Sequence, residues 1–300
     1  MREITRWEFR AAQAIVTGWV AGCARAPAPQ PAPTPVAARA QPVATTEHGG
    51  FPPRFVVGHA VYEITAVGLV SDPSDSVTHP DTVTTRTSLT YDARPLGPQL
   101  QVNGEIISRV TTASATSPHI DPVGGTRTTF QATVDTASGA VTVSADTTSP
   151  LDRCQGHNPS VDQARQLATT RPRSFVPAAT WHDVATDSSC LGGLPLVSRA
   201  TREYSVAPQN ATDPVTGTSA VLIAHTSTTS MAGSGHRAGH YITLTGNGTG
   251  TTEEYYDRKT GVLLSAHTAA TLDLDITVSG RVQRLHQQAD WRARLKAGDR

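Results

Sequence analysis

Aromatic side chains are scarce in this chain, at five phenylalanines, six tyrosines and four tryptophans in 300 residues. The composition leans instead on threonine, serine, valine and glycine, a mixture that favours strands and turns over long helices. Net charge is missing too: 25 Lys and Arg balance 25 Asp and Glu, and the isoelectric point is near 7.2. That balance excludes the basic footprint of a nucleic-acid-binding protein. The apolar run from Ala11 to Gly22 is too short to span a bilayer, which takes about 20 residues. Catalytic signatures are lacking as well. There is no G-x-S-x-G elbow, and Gly233-Ser234-Gly235 does not have its spacing. Gly246-Asn247-Gly248-Thr249-Gly250 has neither the strand-to-helix context nor the lysine of a phosphate loop, so it is expected to be a flexible turn. The chain therefore reads as a non-enzyme without a cofactor.

What is present is alternation. Tyr62, Ile64, Ala66, Gly68 and Val70 fall on one side of a strand. After the polar turn Ser71 to Ser76, Val83, Thr85, Thr87, Leu89 and Tyr91 alternate with Thr84, Arg86, Ser88 and Thr90, as in a strand with one wet face. Leu100 to Thr112 is broken at Asn103-Gly104, and two readings stand: one strand with a bulge, or a hairpin of two short strands. Phe130, Ala132 and Val134 lead through Asp135 to Gly139 into Val141 and Val143 as a hairpin. A second D-x-x-[S/T]-G turn, Asp257 to Gly261, follows Tyr255-Tyr256 and precedes Val262-Leu263-Leu264, which suggests an internal duplication. Leu272, Leu274, Ile276 and Val278 alternate with Thr271, Asp273, Asp275 and Thr277. In the tail, Leu285, Ala289, Trp291, Ala293 and Leu295 share one side as a strand, and this is preferred to a helix because the opposite side is polar throughout.

The middle differs. Ser160 and Gln163 have capping-box spacing, and Val161, Ala164, Leu167 and Ala168 would line one helix face, so a short central helix is expected from about Val161 to Thr170. Phe175 and Trp181 follow as core anchors. The fold expected is mainly β, a curved antiparallel sheet or incomplete barrel with that one helix. It occupies residues 51–300, as one domain or as two β halves, 51–150 and 191–300, around the helical insertion.

Two candidate chemistries are weak on their own residues. His236 and His240 are four apart in S-G-H-R-A-G-H, yet no Cys, Asp or Glu lies beside them to complete a metal site, so they read as structural or solvated. Asp273 and Asp275 share one strand face, where a pair of solvated acids is the ordinary situation.

The N-terminus carries more. Arg2, Arg6 and Arg10 precede the apolar run, which ends in Val20-Ala21-Gly22-Cys23. This resembles the lipobox of bacterial lipoproteins, and the resemblance implies that residues 1–22 are a signal peptide and that Cys23 is lipidated. An amphipathic N-terminal helix with an incidental cysteine is the other reading. With Cys23 lipidated, Cys154 and Cys190 remain as a pair in an oxidising compartment, where they form a disulfide or stay as two buried thiols. Residues 23–50, with Pro27, Pro29, Pro31, Pro33, Pro35 and Pro42, read as a polyproline-like tether extending about 3.1 Å per residue. Ala24 after Cys23 resembles lipoproteins destined for the periplasmic side of the outer membrane. Lipobox, tether, long strands and the segment F-V-P-A-A-T-W (175–181) together look like envelope lipoproteins with LolA- and LolB-like folds. That resemblance implies a lipid or other apolar ligand held on the sheet, with the membrane as partner through the N-terminal lipid. The alternative is an envelope interaction protein with a filled core.

Overall fold

The computed structural model describes residues 57–73, 81–114, 117–135, 141–144, 174–191, 194–237 and 239–296. All regular structure among them is β-strand. The strands are β1 (Gly58–Ser71), β2 (Asp81–Leu96), β3 (Gln99–Ser114), β4 (Ser117–Asp135), β5 (Val141–Ser144) and β6 (Thr180–Leu191). They continue as β7 (Leu194–Val206), β8 (Ala211–Thr212), β9 (Ser219–Arg237), β10 (His240–Asp257), β11 (Leu263–Val278) and β12 (Arg281–Lys296).

Every pairing is antiparallel, in the order β5-β4-β3-β2-β1-β12-β11-β10-β9-β7-β6, with β8 beside β9. The sheet is mainly a meander, and it is open, with β5 and β6 as its outermost strands. Its centre joins the first strand to the last: Val61 lies opposite Lys296 and Ser71 opposite His286. The helix expected over 161–170 lies outside the described residues, as do Cys23 and Cys154.

Alternation decides which face is buried. On β1 the buried positions are Ala60, Tyr62, Ile64, Ala66, Gly68 and Val70, the set read from the sequence plus Ala60. Val83, Leu89 and Tyr91 of β2 and Phe130, Ala132 and Val134 of β4 face the same way. Leu285, Trp291 and Ala293 do so on β12, so the tail is a strand. Removing a large apolar side chain such as Ile64, Leu89 or Phe130 from water contributes about 1.5–3 kcal/mol, which is why register is specified over such long strands.

The open choice at Asn103-Gly104 falls to the strand rather than the hairpin, and the flexible turn expected at Gly246 to Gly250 is corrected. Asn103-Gly104 does not turn the chain: β3 runs straight through it, with Gly104 opposite Tyr91 on one side and Phe130 on the other. Gly246 to Gly250 is likewise the interior of β10 rather than a flexible turn. In both places glycine answers to packing. A Cβ on Gly104 would sit 2.2 Å from the Phe130 ring, and one on Gly246 would sit 2.5 Å from Leu274 Cδ2. Asp257 to Gly261 does turn the chain: Gly261 N–H donates to Asp257 O over 2.8 Å, and the Asp257 carboxylate accepts from the Lys259 and Thr260 amides. A third turn of the same form, Asp213-Pro214-Val215-Thr216-Gly217, lies between β8 and β9, and Gly217 N–H donates to Asp213 O over 2.9 Å.

Candidate functional site

The buried face carries two apolar clusters. One collects Tyr62, Ile64, Leu89, Ile106, Val134, Ile223 and Tyr256 with their neighbours; the other collects Leu196, Met231, Leu244, Leu272, Leu274 and Leu285 with theirs. Between them, along the strands, lies a polar belt one or two residues deep.

Strand register lays out this belt. Trp181 of β6, Tyr204 of β7, His225 of β9, Thr252 of β10, Thr268 of β11 and Trp291 of β12 lie side by side in one row. Trp181 stacks on Tyr204 at 4.9 Å between ring centres and 8° between planes, and Tyr204 meets the His225 ring at 4.7 Å. Thr252 and Thr268 bond each other through their hydroxyls at 2.9 Å. The neighbouring row holds Asp183, Arg202, Ser227, Gly250, Ala270 and Ala289.

Arg202 is the unexpected member, with only 1% of its surface exposed. Its Nη1 donates to the Tyr204 hydroxyl over 3.3 Å and stands 3.6 Å from Asp183 Oδ1. A buried guanidinium requires such company, because an uncompensated charge out of water costs several kcal/mol. Its field reaches the nearby titrating groups. Burial, and then the charge of Arg202, push the His225 imidazole down to about 4, so the ring is neutral near pH 7. Burial pushes the Glu254 carboxyl up to about 7, against the hydrogen bond donated by Tyr256 over 3.1 Å and the attraction of Arg202. Burial likewise pushes the Tyr204 phenol up to about 12. Several belt atoms are buried with no hydrogen-bond partner: His225 Nδ1, Gln287 Nε2, Trp291 Nε1 and Thr85 Oγ1.

The opposite face is polar along β10 and β12, while β1 places Val61, Val67 and Leu69 on it. On β12 it presents Arg284, His286, Gln288, Asp290, Arg292, Arg294 and Lys296, and on β10 it presents Thr243, Thr245, Asn247, Thr249, Thr251 and Glu253. Ion pairs cross it: Asp273 accepts from His286 Nδ1 at 2.7 Å, Asp290 meets His267 Nε2 at 2.7 Å, and Glu63 takes both Arg294 and Lys296. Asp275 pairs with Arg284 at 3.6 Å, so the two acids noted in the sequence face β12 side chains, His286 and Arg284, rather than each other. A cavity of about 450 Å³ is lined by Glu203, Thr226, Glu253 and His267 of this face together with His225 and Thr252 of the belt, among others. A membrane-spanning barrel needs an apolar outward band about 25 Å tall. The described strands have the reverse arrangement, with the apolar residues on the buried face.

His236 and His240 do not converge. His236 lies on the exposed face, tilted against Tyr241 with ring centres 5.0 Å apart. His240 falls in register with Ile242 and Leu244 on the other face and bonds Ser279 Oγ at 3.0 Å. Among the described residues no three His, Cys, Asp or Glu side chains are grouped to hold a metal. Cys190 lies near the end of β6, opposite Pro195. Phe175 and Trp181 reach the core as expected, Phe175 against Tyr256 at 5.3 Å. Sequence reading passed over Arg202 and Glu254. The available signal was a charge at an apolar-face position: Ala200, Arg202, Tyr204 and Val206 alternate cleanly, as do Thr252, Glu254 and Tyr256.

No protein-family model matches the chain, and no curated protein does. Among solved structures it is similar to the COG4313 outer membrane channel of Pseudomonas putida F1, at 8% identity and a TM-score of 0.20 over 85% of this chain and 100% of that one. It is similar to OprB of Pseudomonas putida at 5% identity and a TM-score of 0.20, over 79% of this chain and 92% of that one. It is also similar to a putative AttH from Nitrosomonas europaea at 9% identity and a TM-score of 0.18, over 83% of this chain and 97% of that one.

Proposed function

We propose that this is a lipid-anchored protein of the cell envelope, held through Cys23 and its proline-rich tether, that presents a packed β scaffold for polar recognition and neither carries an apolar ligand nor catalyses a reaction. One observation carries this choice over the apolar carrier. Among the described residues, the apolar side chains of the buried face are closed to solvent: Leu89, Ile106, Ile223, Ile242, Leu244, Leu272 and Leu274 are each at most 2% exposed. A site for an acyl chain needs an apolar cavity of several hundred Å³. The 450 Å³ cavity described above has two carboxylates, two imidazoles, four hydroxyls and Ala224 in its wall. The lipobox supports the anchor, and the polar outward face of the strands supports a domain standing in water.

Native mass spectrometry of the full chain carrying Cys23→Ser, followed by organic extraction, tests the reading. A clean apo mass with no uptake of added fatty acid or phospholipid is expected. A co-purifying lipid, or stoichiometric uptake of one, would return the sheet to the carrier role. Radiolabelled palmitate incorporation into the wild-type chain, lost in Cys23→Ser, tests the anchor separately.

A further inference from the structure

On the exposed face, one register position of β2 and β3 breaks a charge pattern that the rest of the sheet keeps. Where residues of fixed charge stand directly opposite each other elsewhere, their signs are opposite: Glu63 faces Arg294, Asp183 faces Arg202 and Asp275 faces Arg284. Arg86 of β2 instead faces Arg109 of β3. Both are exposed, and among the described residues no other fixed charge stands directly opposite one of its own sign. Directly opposite residues hold their Cβ atoms about 4.5–5.5 Å apart, so the two guanidinium groups reach the same space and repel.

Nothing acidic relieves them. On neighbouring positions of this face Glu63 is taken by Arg294 and Lys296, Glu105 by Arg127, and Asp290 by His267 and Arg292. Among the described residues no carboxylate pairs with Arg86 or Arg109. The surroundings are small or hydroxylated. Between β3 and β4 the pairing steps from Ser108–Thr126 to Val110–Val123, a bulge that sets Gly124-Gly125 opposite Arg109. Bulges re-aim side chains, and two glycines have none of their own to cover a guanidinium. Thr65 lies opposite Arg86 on β1, and Thr84 and Ser88 lie two positions before and after it on β2, all three half-buried on the same face.

Two adjacent guanidinium groups are satisfied by one partner with two negative charges and several acceptor oxygens. A phosphoryl group has both, with about −1.5 to −2 charges at neutral pH and three acceptor oxygens. The planar fork of arginine matches it in bidentate fashion. A single carboxylate would leave one arginine uncompensated, and a neutral ligand would leave both repelling.

We propose that Arg86 and Arg109 form a binding site for a phosphate monoester group on the exposed face, with the hydroxyls of Thr65, Thr84 and Ser88 around it. The proposal deepens the polar-recognition reading above and rests on it.

The test uses the full chain carrying Cys23→Ser, titrated calorimetrically with inorganic phosphate up to about 10 mM in a chloride-poor buffer, with acetate as the singly charged control. Saturable phosphate binding is expected, with acetate at least about tenfold weaker. Arg86→Gln and Arg109→Gln should each weaken phosphate at least about tenfold, whereas Arg199→Gln, at an exposed arginine of β7 opposite Thr186 and Ser230, should not. Stability supplies a readout that a structural role would move the other way. Removing either arginine relieves repulsion, so the melting temperature without phosphate holds or rises, while the increase that phosphate gives the wild type is lost. Flotation with phosphatidylcholine vesicles, with and without phosphatidic acid, separates the sources. Binding only to the phosphatidic acid vesicles, lost in both arginine variants, supports the site with a lipid headgroup as its ligand; phosphate binding without flotation supports it with a soluble phosphate. Absence of saturation by phosphate together with absence of flotation overturns the proposal, as does wild-type affinity in both arginine variants or acetate binding as tight as phosphate. Stoichiometric uptake of the neutral apolar probe N-phenyl-1-naphthylamine overturns the polar-recognition reading and this proposal with it, whereas failure of phosphate and vesicles with no probe uptake overturns the phosphate site alone.

Discussion

Gly104→Ala tests the packing argument directly, because the substitution adds one methyl group at a place where the structure has already put a ring. Gly104 and Phe130 are cross-strand partners on β3 and β4, and the new Cβ would lie 2.2 Å from Cε1 and 2.3 Å from Cζ of Phe130. Contacts that short do not persist, and Phe130, 8% exposed, is hemmed in by the first apolar cluster. Overpacking of this kind costs about 1–3 kcal/mol, and expelling the ring altogether would cost about 3–5 kcal/mol. Against this stands the reduced backbone freedom of the unfolded alanine chain, worth about 0.5–1 kcal/mol. The net expectation is a loss of about 1–2 kcal/mol. Urea denaturation of the Cys23→Ser chain followed by tryptophan fluorescence measures it. The double variant with Phe130→Leu separates clash from strand propensity: with the ring gone the methyl group has room, so the two losses should fall short of additive by about 1 kcal/mol or more. Strict additivity, or a Gly104→Ala chain as stable as wild type, would refute the claim that Phe130 dictates glycine here.

Four further expectations follow from the site and its turns. Glu254 has its pKa raised by burial, so an unfolded chain ionises it more readily, and stability falls as pH rises from the ordinary carboxyl range through about 7. The advantage of Glu254→Gln over wild type should therefore grow between pH 5 and pH 8 in parallel urea titrations, and a constant difference would contradict the burial of that carboxyl. His225 acts in the opposite direction: held neutral in the fold down to about pH 4, it contributes stability that is lost as pH falls below its unfolded value of about 6.5, and His225→Gln should remove that acid-side loss. Asp213 has no exposed surface and accepts from Ser265, the Thr216 hydroxyl and the Val215 and Thr216 amides, so Asp213→Ala should cost about 1–3 kcal/mol in thermal or urea unfolding. Ala178 has φ of 60°, a left-handed conformation that costs an alanine about 1–2 kcal/mol. Ala178→Gly should raise stability by up to about 1 kcal/mol despite its entropy cost, and a lowered melting temperature would show that the turn into β6 needs the methyl group.

Much of the sheet was legible because one face of each strand is dry. Where alternation was clean, as in Tyr62 to Val70, Val83 to Tyr91 and Leu272 to Val278, the buried side read from the residues is the buried side in the fold. Glycine misled. At Asn103-Gly104 and Gly246 to Gly250 local turn chemistry and cross-strand packing call for the same residue, and only the positions of Phe130, Leu274 and Met231 decide between them. The polar belt was hidden for a related reason. Thr85, Thr252 and Gln287 look like ordinary strand residues along their own segments, and they become a belt only when register aligns β2, β1, β12, β11 and β10. Arg202 stood out least of all, since an arginine among Thr201, Glu203 and Ser205 resembles any solvated position until its neighbours Ala200 and Tyr204 are seen to share its face.

The pairing of β1 with β12 also sets a schedule for the chain. Strands β1 to β5 pair among themselves, and so do β6 to β12, but the ladder joining the two groups needs residues 61 and 296 at once. A chain that crosses a membrane from its N-terminus would expose the edge of β1 until its last residues arrive. Tyr62 shows the same dependence, since its hydroxyl donates to Leu263 O, 201 positions later. Loss of even the final strand would therefore split the sheet at its middle rather than trim its rim, leaving two long unpaired edges of the kind that recruit other strands. Strand β12 works as a clasp, and a degradation system that senses an open clasp would need to inspect only one seam to know whether the two halves of the sheet had met.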